Sequence, residues 1–243
     1  MDGVAVVICA AGSSLRMGGV KKEYRTIDTP GHSLTVLGSV VRAFASVSQV
    51  EMMVIAVPEN GETAAREALP AEYVTACKPQ LFFVTGGKTR RASVFNALSL
   101  LAERNPRYVL IHDGARPWVQ PQLIERIIRA VQEHNAVTPL LPLTDTPKEC
   151  DAPLWETQPC SDTSDDVSPI RIQRHLKRSL VGVAQTPQAF AFPEILHAHE
   201  KAAESGREDF TDDAEVWGAF CGPVAVIPGS PDNRKITFSG DIA

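Results

Sequence analysis

With 243 residues and 44% hydrophobic content, the chain is long enough for one large α/β domain or two small ones. A net charge of −5 and a pI near 5.7 exclude general affinity for nucleic acid or an anionic membrane surface, so any anion site must be a local basic pocket. No run approaches the roughly 20 apolar residues of a bilayer span.

The apolar run near the N-terminus is short and Asp2 precedes it, so neither a signal peptide nor a transit peptide is expected in this chain. The five cysteines (Cys9, Cys77, Cys150, Cys160, Cys221) lack C-x-x-C spacing and read as free thiols of a reducing compartment. A cytoplasmic location is expected, with a plastid as the alternative.

Taken in chain order, Val4 to Cys9 is β-branched and continuously apolar, as in a strand buried on both faces of a parallel sheet. The chain then turns small and basic: Ala10, Ala11, Gly12, Ser13 and Ser14 lead to Arg16, Lys21 and Lys22. Open backbone amides plus fixed cations after a strand make an anion site, best suited to phosphate. It is neither common phosphate loop. Ser14 and Met17 break G-x-G-x-x-G, and Phe82 stands where a P-loop ending at Gly87-Lys88-Thr89 needs its first glycine.

Leu34, Leu37, Val40, Val41, Phe44 and Val47 predict a helix with Ser33 as its cap. Met52–Val57 reads as a strand, Glu59–Leu69 as a helix and Leu81–Val84 as a strand ending at Gly86-Gly87. The next helix carries Val94, Ala97, Leu98 and Leu101 on one face. Tyr108–Ile111 is a strand running into His112-Asp113-Gly114-Ala115-Arg116-Pro117. Pro121 opens another helix, and Val137–Leu141 is a fifth strand. This alternation predicts a parallel sheet with helices on both faces.

The alternation breaks after Leu143. Residues 145–180 turn polar and read as an arm, with 151–169 an exposed acidic excursion. Helices are expected at Pro193–Ser205 and, capped by Thr211, at Thr211–Phe220, with strands at Val224–Ile227 and Ile236–Phe238. His197 and His199 sit on a helix with no further ligand nearby, so no metal site is assigned there. With no repeat or linker, residues 1–243 read as a single domain carrying the arm.

Ligands of open α/β sheets lie beyond the carboxyl ends of the strands. That rule gathers the loops Ala10–Lys22, Gly86–Ser93, His112–Pro117 and Asp145–Lys148, and with them Arg16, Lys22, Arg90, Asp113, Arg116 and Lys148. One carboxylate among several cations points to a divalent ion bridging a polyphosphate, with Mg²⁺ the usual oxygen-seeking choice.

The ordered motifs Ala10-Ala11-Gly12…Arg16-Met17…Lys22-Glu23-Tyr24, Gly86-Gly87…Arg90…Ser93-Val94, His112–Pro117, Asp145-Thr146-Pro147-Lys148, Gln185–Phe190, Thr211-Asp212-Asp213-Ala214 and Asp232–Thr237 resemble the 2-C-methyl-D-erythritol 4-phosphate cytidylyltransferases of the non-mevalonate isoprenoid pathway. The resemblance runs from residue 4 to 242. It implies a Rossmann-like nucleotidyltransferase fold with a protruding arm that joins a homodimer. It also implies Mg²⁺ dependence and the joining of CTP to a polyol phosphate with release of pyrophosphate.

By resemblance, Arg16, Lys22 and Lys235 are catalytic, and Asp113 and Asp232 hold Mg²⁺. Ala10, Ala11, Gly12, Gly87 and Ser93 bind the nucleotide. Arg116, Thr146, Arg178 and Thr211 hold the acceptor, with Thr146 and Arg178 reaching across the dimer.

The chain departs from the family pattern at Ser14, Val20-Lys21, Glu23, Ala92 and Gly114. Lys21 competes with Lys22 for the charge-stabilising role. Counting back from Tyr24 favours Lys22 and leaves Lys21 facing solvent. A ribitol 5-phosphate cytidylyltransferase and a catalytically silent nucleotide-binding paralogue are the alternatives. The 243 residues are expected to be too few to include also the cyclodiphosphate synthase domain sometimes fused to this family.

Overall fold

The structure is a computed structural model that describes residues 3–12, 21–29, 32–75, 79–154, 170–207 and 209–242. The basic loop over residues 13–20, with Arg16, and the acidic excursion from residue 155 to 169 lie outside the described residues. So do Cys77 and Cys160, while Cys9, Cys150 and Cys221 are free thiols.

The chain divides into two compact units, residues 1–139 with 185–243, and residues 140–184. The first holds β1 (Val4–Cys9), β4 (Val50–Val57), β5 (Gln80–Thr85) and β6 (Tyr108–Asp113), paired in parallel in the order β5-β4-β1-β6. Nearly every side chain of β1, β4 and β6 is buried. Strands buried on both faces need helices on both faces.

The helices form two packed groups. One contains α1 (Val36–Ala45), α3 (Ala71–Val74) and α5 (Pro121–His134). The other contains α4 (Arg90–Leu101), α6 (Phe192–Glu204) and α7 (Asp213–Phe220). The expected helix at 59–69 is the shorter α2 (Glu62–Glu67).

The sheet is mixed. Strand β11 (Gln188–Ala191), absent from the sequence reading, inserts antiparallel between β6 and β7 (Ala136–Pro142). All four of its side chains are buried. Strand β12 (Ala225–Pro228) also pairs with β7.

Three further expectations are corrected. Ser33 does not cap α1. It lies in β3 (His32–Thr35), which pairs antiparallel with β2 (Thr26–Thr29), and Thr35 caps the helix by accepting a hydrogen bond from the Gly38 N–H at 2.8 Å. Thr211 does not cap α7. Asp212 does, accepting from the Glu215 N–H at 2.9 Å. Residues 236–238 form no strand: Ile236 is fully buried with Ile27 and Val36 and packs on Trp118, a local core rather than a ladder.

In the second unit, β10 (Gly182–Ala184) pairs antiparallel with the last three residues of β7. Strand β8 (Lys148–Cys150) pairs antiparallel with β9 (Ile172–His175). Leu154, Ile172, Leu180 and Val183 of this unit are exposed.

Candidate active site

Strand register builds the site. Cys9 lies opposite Asp113 on one side and Ala56 on the other, and Val57 lies opposite Thr85. The segments 10–12, 86–93 and 113–117 therefore leave the sheet along one carboxyl edge.

Ala10 is buried and donates its N–H to Ala56 O at 2.9 Å. Beside it, the β5–α4 turn packs closely. A Cβ on Gly86 would stand 2.3 Å from the Ala11 Cβ and 2.9 Å from Ser93 Oγ, so only glycine lets the turn approach. Ser93 Oγ accepts from the Gly87 N–H at 3.0 Å and donates to Thr89 O at 3.0 Å. Its single proton is committed, leaving one lone pair as an acceptor.

Asp113, at the end of β6, is the charge centre. Its Oδ1 lies 3.3 Å from Arg90 Nε, and its Oδ2 lies 2.9 Å from Lys235 Nζ and 3.4 Å from Arg116 Nε. Burial alone would raise its pKa, but the Arg90, Lys235 and Arg116 cations overturn that and hold the carboxyl far below the ordinary range.

The backbone behind Asp113 is tied to the chain's last third. The Asp113 N–H donates to Thr186 Oγ1 at 3.0 Å. Arg116 O, 3.3 Å from His112 Nε2, can only accept, so in the neutral ring Nε2 carries the proton and Nδ1 accepts from the Thr186 hydroxyl, 3.1 Å away. Burial pushes the His112 pKa down to about 4, so the ring is neutral at pH 7.

Asn233 is fully buried. Its Nδ2 donates to Thr186 O at 2.7 Å, and its backbone carbonyl accepts from Arg116 Nη1 at 2.9 Å. Ile236 donates its N–H to Ala115 O at 2.8 Å and accepts from Lys22 Nζ at 2.8 Å. Segment 232–236 thereby carries Lys235 to Asp113 and ties down Lys22.

The expected site residues divide accordingly. Gly12, Lys22, Gly87, Ser93, Asp113, Arg116 and Lys235 belong to this loop cluster of the first unit, with Ala10 and Ala11 at its base. Asp232 is exposed one residue before Asn233, and its carboxylate pairs with no described residue. Thr211 is exposed and spends its hydroxyl on Glu215 Oε2 at 2.9 Å. Thr146 and Arg178 belong to the second unit, where Arg178 Nη1 donates to Thr144 O at 2.5 Å.

The solvent-facing reading of Lys21 is corrected. Its side chain is 17% exposed, donates to Gly12 O at 2.5 Å and lies 3.6 Å from the buried Glu23 carboxylate. Lys21 joins the two ends of the basic loop.

Sequence reasoning missed His112, Thr186 and Asn233 as site supports. All three lie inside motifs already singled out, but their function as braces depends on which backbone groups the fold leaves opposite them.

A mostly parallel sheet whose carboxyl edge gathers lysines and arginines around a carboxylate defines an α/β protein with a charged site where such sheets bind their ligands. Comparison with known proteins makes the class specific. The family model IspD, 2-C-methyl-D-erythritol 4-phosphate cytidylyltransferase, matches residues 4–243, and the chain belongs to that family.

A bifunctional enzyme IspD/IspF from Mesorhizobium japonicum is 38% identical over 99% of this chain and 54% of that protein. The chain spans about half the length of the curated relatives it matches. Among solved structures, 4-diphosphocytidyl-2C-methyl-D-erythritol synthase from Anaerococcus prevotii matches with a TM-score of 0.78 and 25% identity, over 99% of this chain and 93% of that one. The 2-C-methyl-D-erythritol 4-phosphate cytidylyltransferase of Thermus thermophilus matches with a TM-score of 0.68 and 29% identity, over 99% and 95%.

Proposed function

We propose that this chain transfers the cytidylyl group of CTP to 2-C-methyl-D-erythritol 4-phosphate, giving CDP-methylerythritol and pyrophosphate. The observation that carries the reading is the convergence of Lys235, Arg116 and Arg90 on Asp113, with Lys22 held on Ile236 O of the segment that carries Lys235, in a chain of this family.

In the reaction, an oxygen of the acceptor phosphate forms a bond to the α-phosphorus of CTP. The bond from that phosphorus to the β-phosphate bridge breaks, and pyrophosphate leaves with its electrons. Negative charge grows on the equatorial oxygens, so fixed cations and positioning do most of the work. Lys22, anchored on Ile236 O, and Lys235 supply that charge together with Arg16. The close-packed Gly86-Gly87 turn and the remaining Ser93 lone pair suit the 4-amino edge of cytosine. Arg116 and Thr211 hold the acceptor, and Thr146 and Arg178 reach it from the partner copy of the homodimer.

Mg²⁺ takes oxygen ligands and shares them with substrate phosphates rather than requiring an all-protein cage. Among the described residues, no three His, Cys, Asp or Glu side chains cluster as a metal site. The single Asp113 carboxylate fits an ion carried mainly by the triphosphate, with Asp232 the second donor. Such an ion supplies neutralisation of phosphate charge. The exposed Leu154, Ile172, Leu180 and Val183 support a homodimer through the arm, which sedimentation of the parent and Leu180→Asp proteins tests.

Steady-state pyrophosphate release with Mg²⁺ tests the reading. CTP should exceed UTP by about 10²-fold in kcat/KM, because a carbonyl at position 4 leaves an acceptor unpaired. Methylerythritol phosphate should exceed ribitol 5-phosphate. Equal use of both bases would sink the base-reading assignment, and preference for ribitol 5-phosphate would move the chain to that activity.

A further inference from the structure

Behind Asp113 a line of charges runs away from solvent through three helices. Arg90, the first residue of α4, lies between two carboxylates. Its Nη1 donates to Asp213 Oδ2 at 2.7 Å, while its Nε is 3.3 Å from Asp113 Oδ1. Asp213, the first residue of α7, is only 1% exposed. Its other oxygen lies 3.2 Å from Nε2 of His199, a residue of α6 with no solvent exposure. The His199 ring stacks on Phe95 of α4, with centroids 6.5 Å apart and planes within 7°.

This arrangement is poorly explained by stability. Burying charges is costly, and a buried ion pair often does no better than apolar residues of the same volume. Nor is the line fully satisfied. Arg90 Nη2, Asp213 Oδ1 and both His199 ring nitrogens lack an aligned hydrogen-bond partner among the described residues. What the line does accomplish is geometric. An arginine side chain has much rotamer freedom to lose, and one strong contact to a buried carboxylate removes most of it before substrate arrives.

We infer that Asp213 and His199 are positioning residues: His199 holds Asp213, Asp213 pins Arg90, and Arg90 orients the Asp113 carboxylate toward the reaction centre. The inference rests on the proposed role of Asp113 at that centre. With Asp213 neutralised, Arg90 loses the partner that fixes it, and its contact to Asp113 no longer holds that carboxylate in place.

The test combines nuclear magnetic resonance of the ¹⁵N-labelled, substrate-free chain with steady-state kinetics. The Arg90 Nε–H signal is identified by its loss in Arg90→Lys. Asp213→Asn should weaken its hydrogen-exchange protection about tenfold or more. The same change should lower kcat about 10–100-fold, the usual range for a residue that orients a ligand-bearing group, with KM for CTP within about threefold. His199→Leu should act in the same direction, and His199→Gln, which keeps an N–H donor, should recover most of the loss.

An unchanged Arg90 signal and kcat in folded Asp213→Asn would overturn the inference. So would losses that follow thermal stability alone, with His199→Gln no better than His199→Leu. Should Asp213→Asn not fold, the two His199 variants decide by the same readouts. If the parent chain fails to turn over CTP, the proposed activity falls, while the Arg90 signal still decides the brace.

Discussion

At the scale of single residues, adjacent side chains have been given different tasks. Lys22 reaches the strap at Ile236 O, while Lys21 reaches back to Gly12 O and lies near Glu23. Lys22→Ala should therefore lower kcat by about 10²–10³, the loss typical of one preorganised charge donor, with KM for CTP little changed. Lys21→Ala should instead loosen the loop base and raise that KM several-fold. Steady-state kinetics of both variants checks the split, and a kcat defect confined to Lys21→Ala would reverse the assignment. Spacing from Tyr24 singled out Lys22, but nothing in the sequence indicated that Lys21 folds inward, because that depends on where Gly12 O ends up.

His112 shows a second residue-scale consequence. Its folded pKa, about 4, lies below the ordinary 6.5, so the unfolded chain binds the proton more readily. The contribution is complete above pH 6.5 and drains away as pH falls to about 4, amounting to about 3 kcal/mol. Urea unfolding of the parent and His112→Gln at pH 7.5 and 4.5 should show the parent losing more stability by roughly that amount. A pH-independent difference would mean that the ring is not held neutral.

Among the elements, those announced by periodicity were legible and those made by pairing were not. Val94, Ala97, Leu98 and Leu101 are buried along α4 as their spacing requires, and Pro121 opens α5. By contrast, Gln188–Ala191 has neither length nor alternation to mark it, and becomes β11 because β6 and β7 leave a slot for it. Ser33 and Thr211 were plausible caps by type, but β3 runs on to Thr35, and Thr211 falls one residue before the cap position of α7.

Asp212 does more than cap, since its Oδ2 also accepts from Gln188 Nε2 at 2.7 Å. Asp212→Ala should cost about 1–2 kcal/mol, the upper range for a lost N-cap. In a chain of this size that is a fall of roughly 2–8 °C in Tm. Thr211→Ala should cost less. Calorimetry on the two variants checks the order, and a larger loss from Thr211→Ala would return the cap to Thr211.

For the whole molecule, the sheet-edge rule was enough to collect segments 10–12, 86–93 and 113–117, and strand register puts them on one edge. It could not supply the strap at 232–236, which reaches the site by tying Asn233 to Thr186 and Ile236 to Ala115 rather than by leaving a strand. Nor could it identify Asp213 and His199, because buried charges are chosen by their neighbours across the core. An acidic chain thus concentrates cations at one edge, and that concentration is the basis for the proposed chemistry.

The most direct test is phosphorus-31 magnetic resonance of the chain with CTP, Mg²⁺ and methylerythritol phosphate. The predicted result is a paired diphosphate signal of CDP-methylerythritol growing in step with inorganic pyrophosphate, one to one. Unchanged CTP, or orthophosphate in place of pyrophosphate, would contradict cytidylyl transfer at this site.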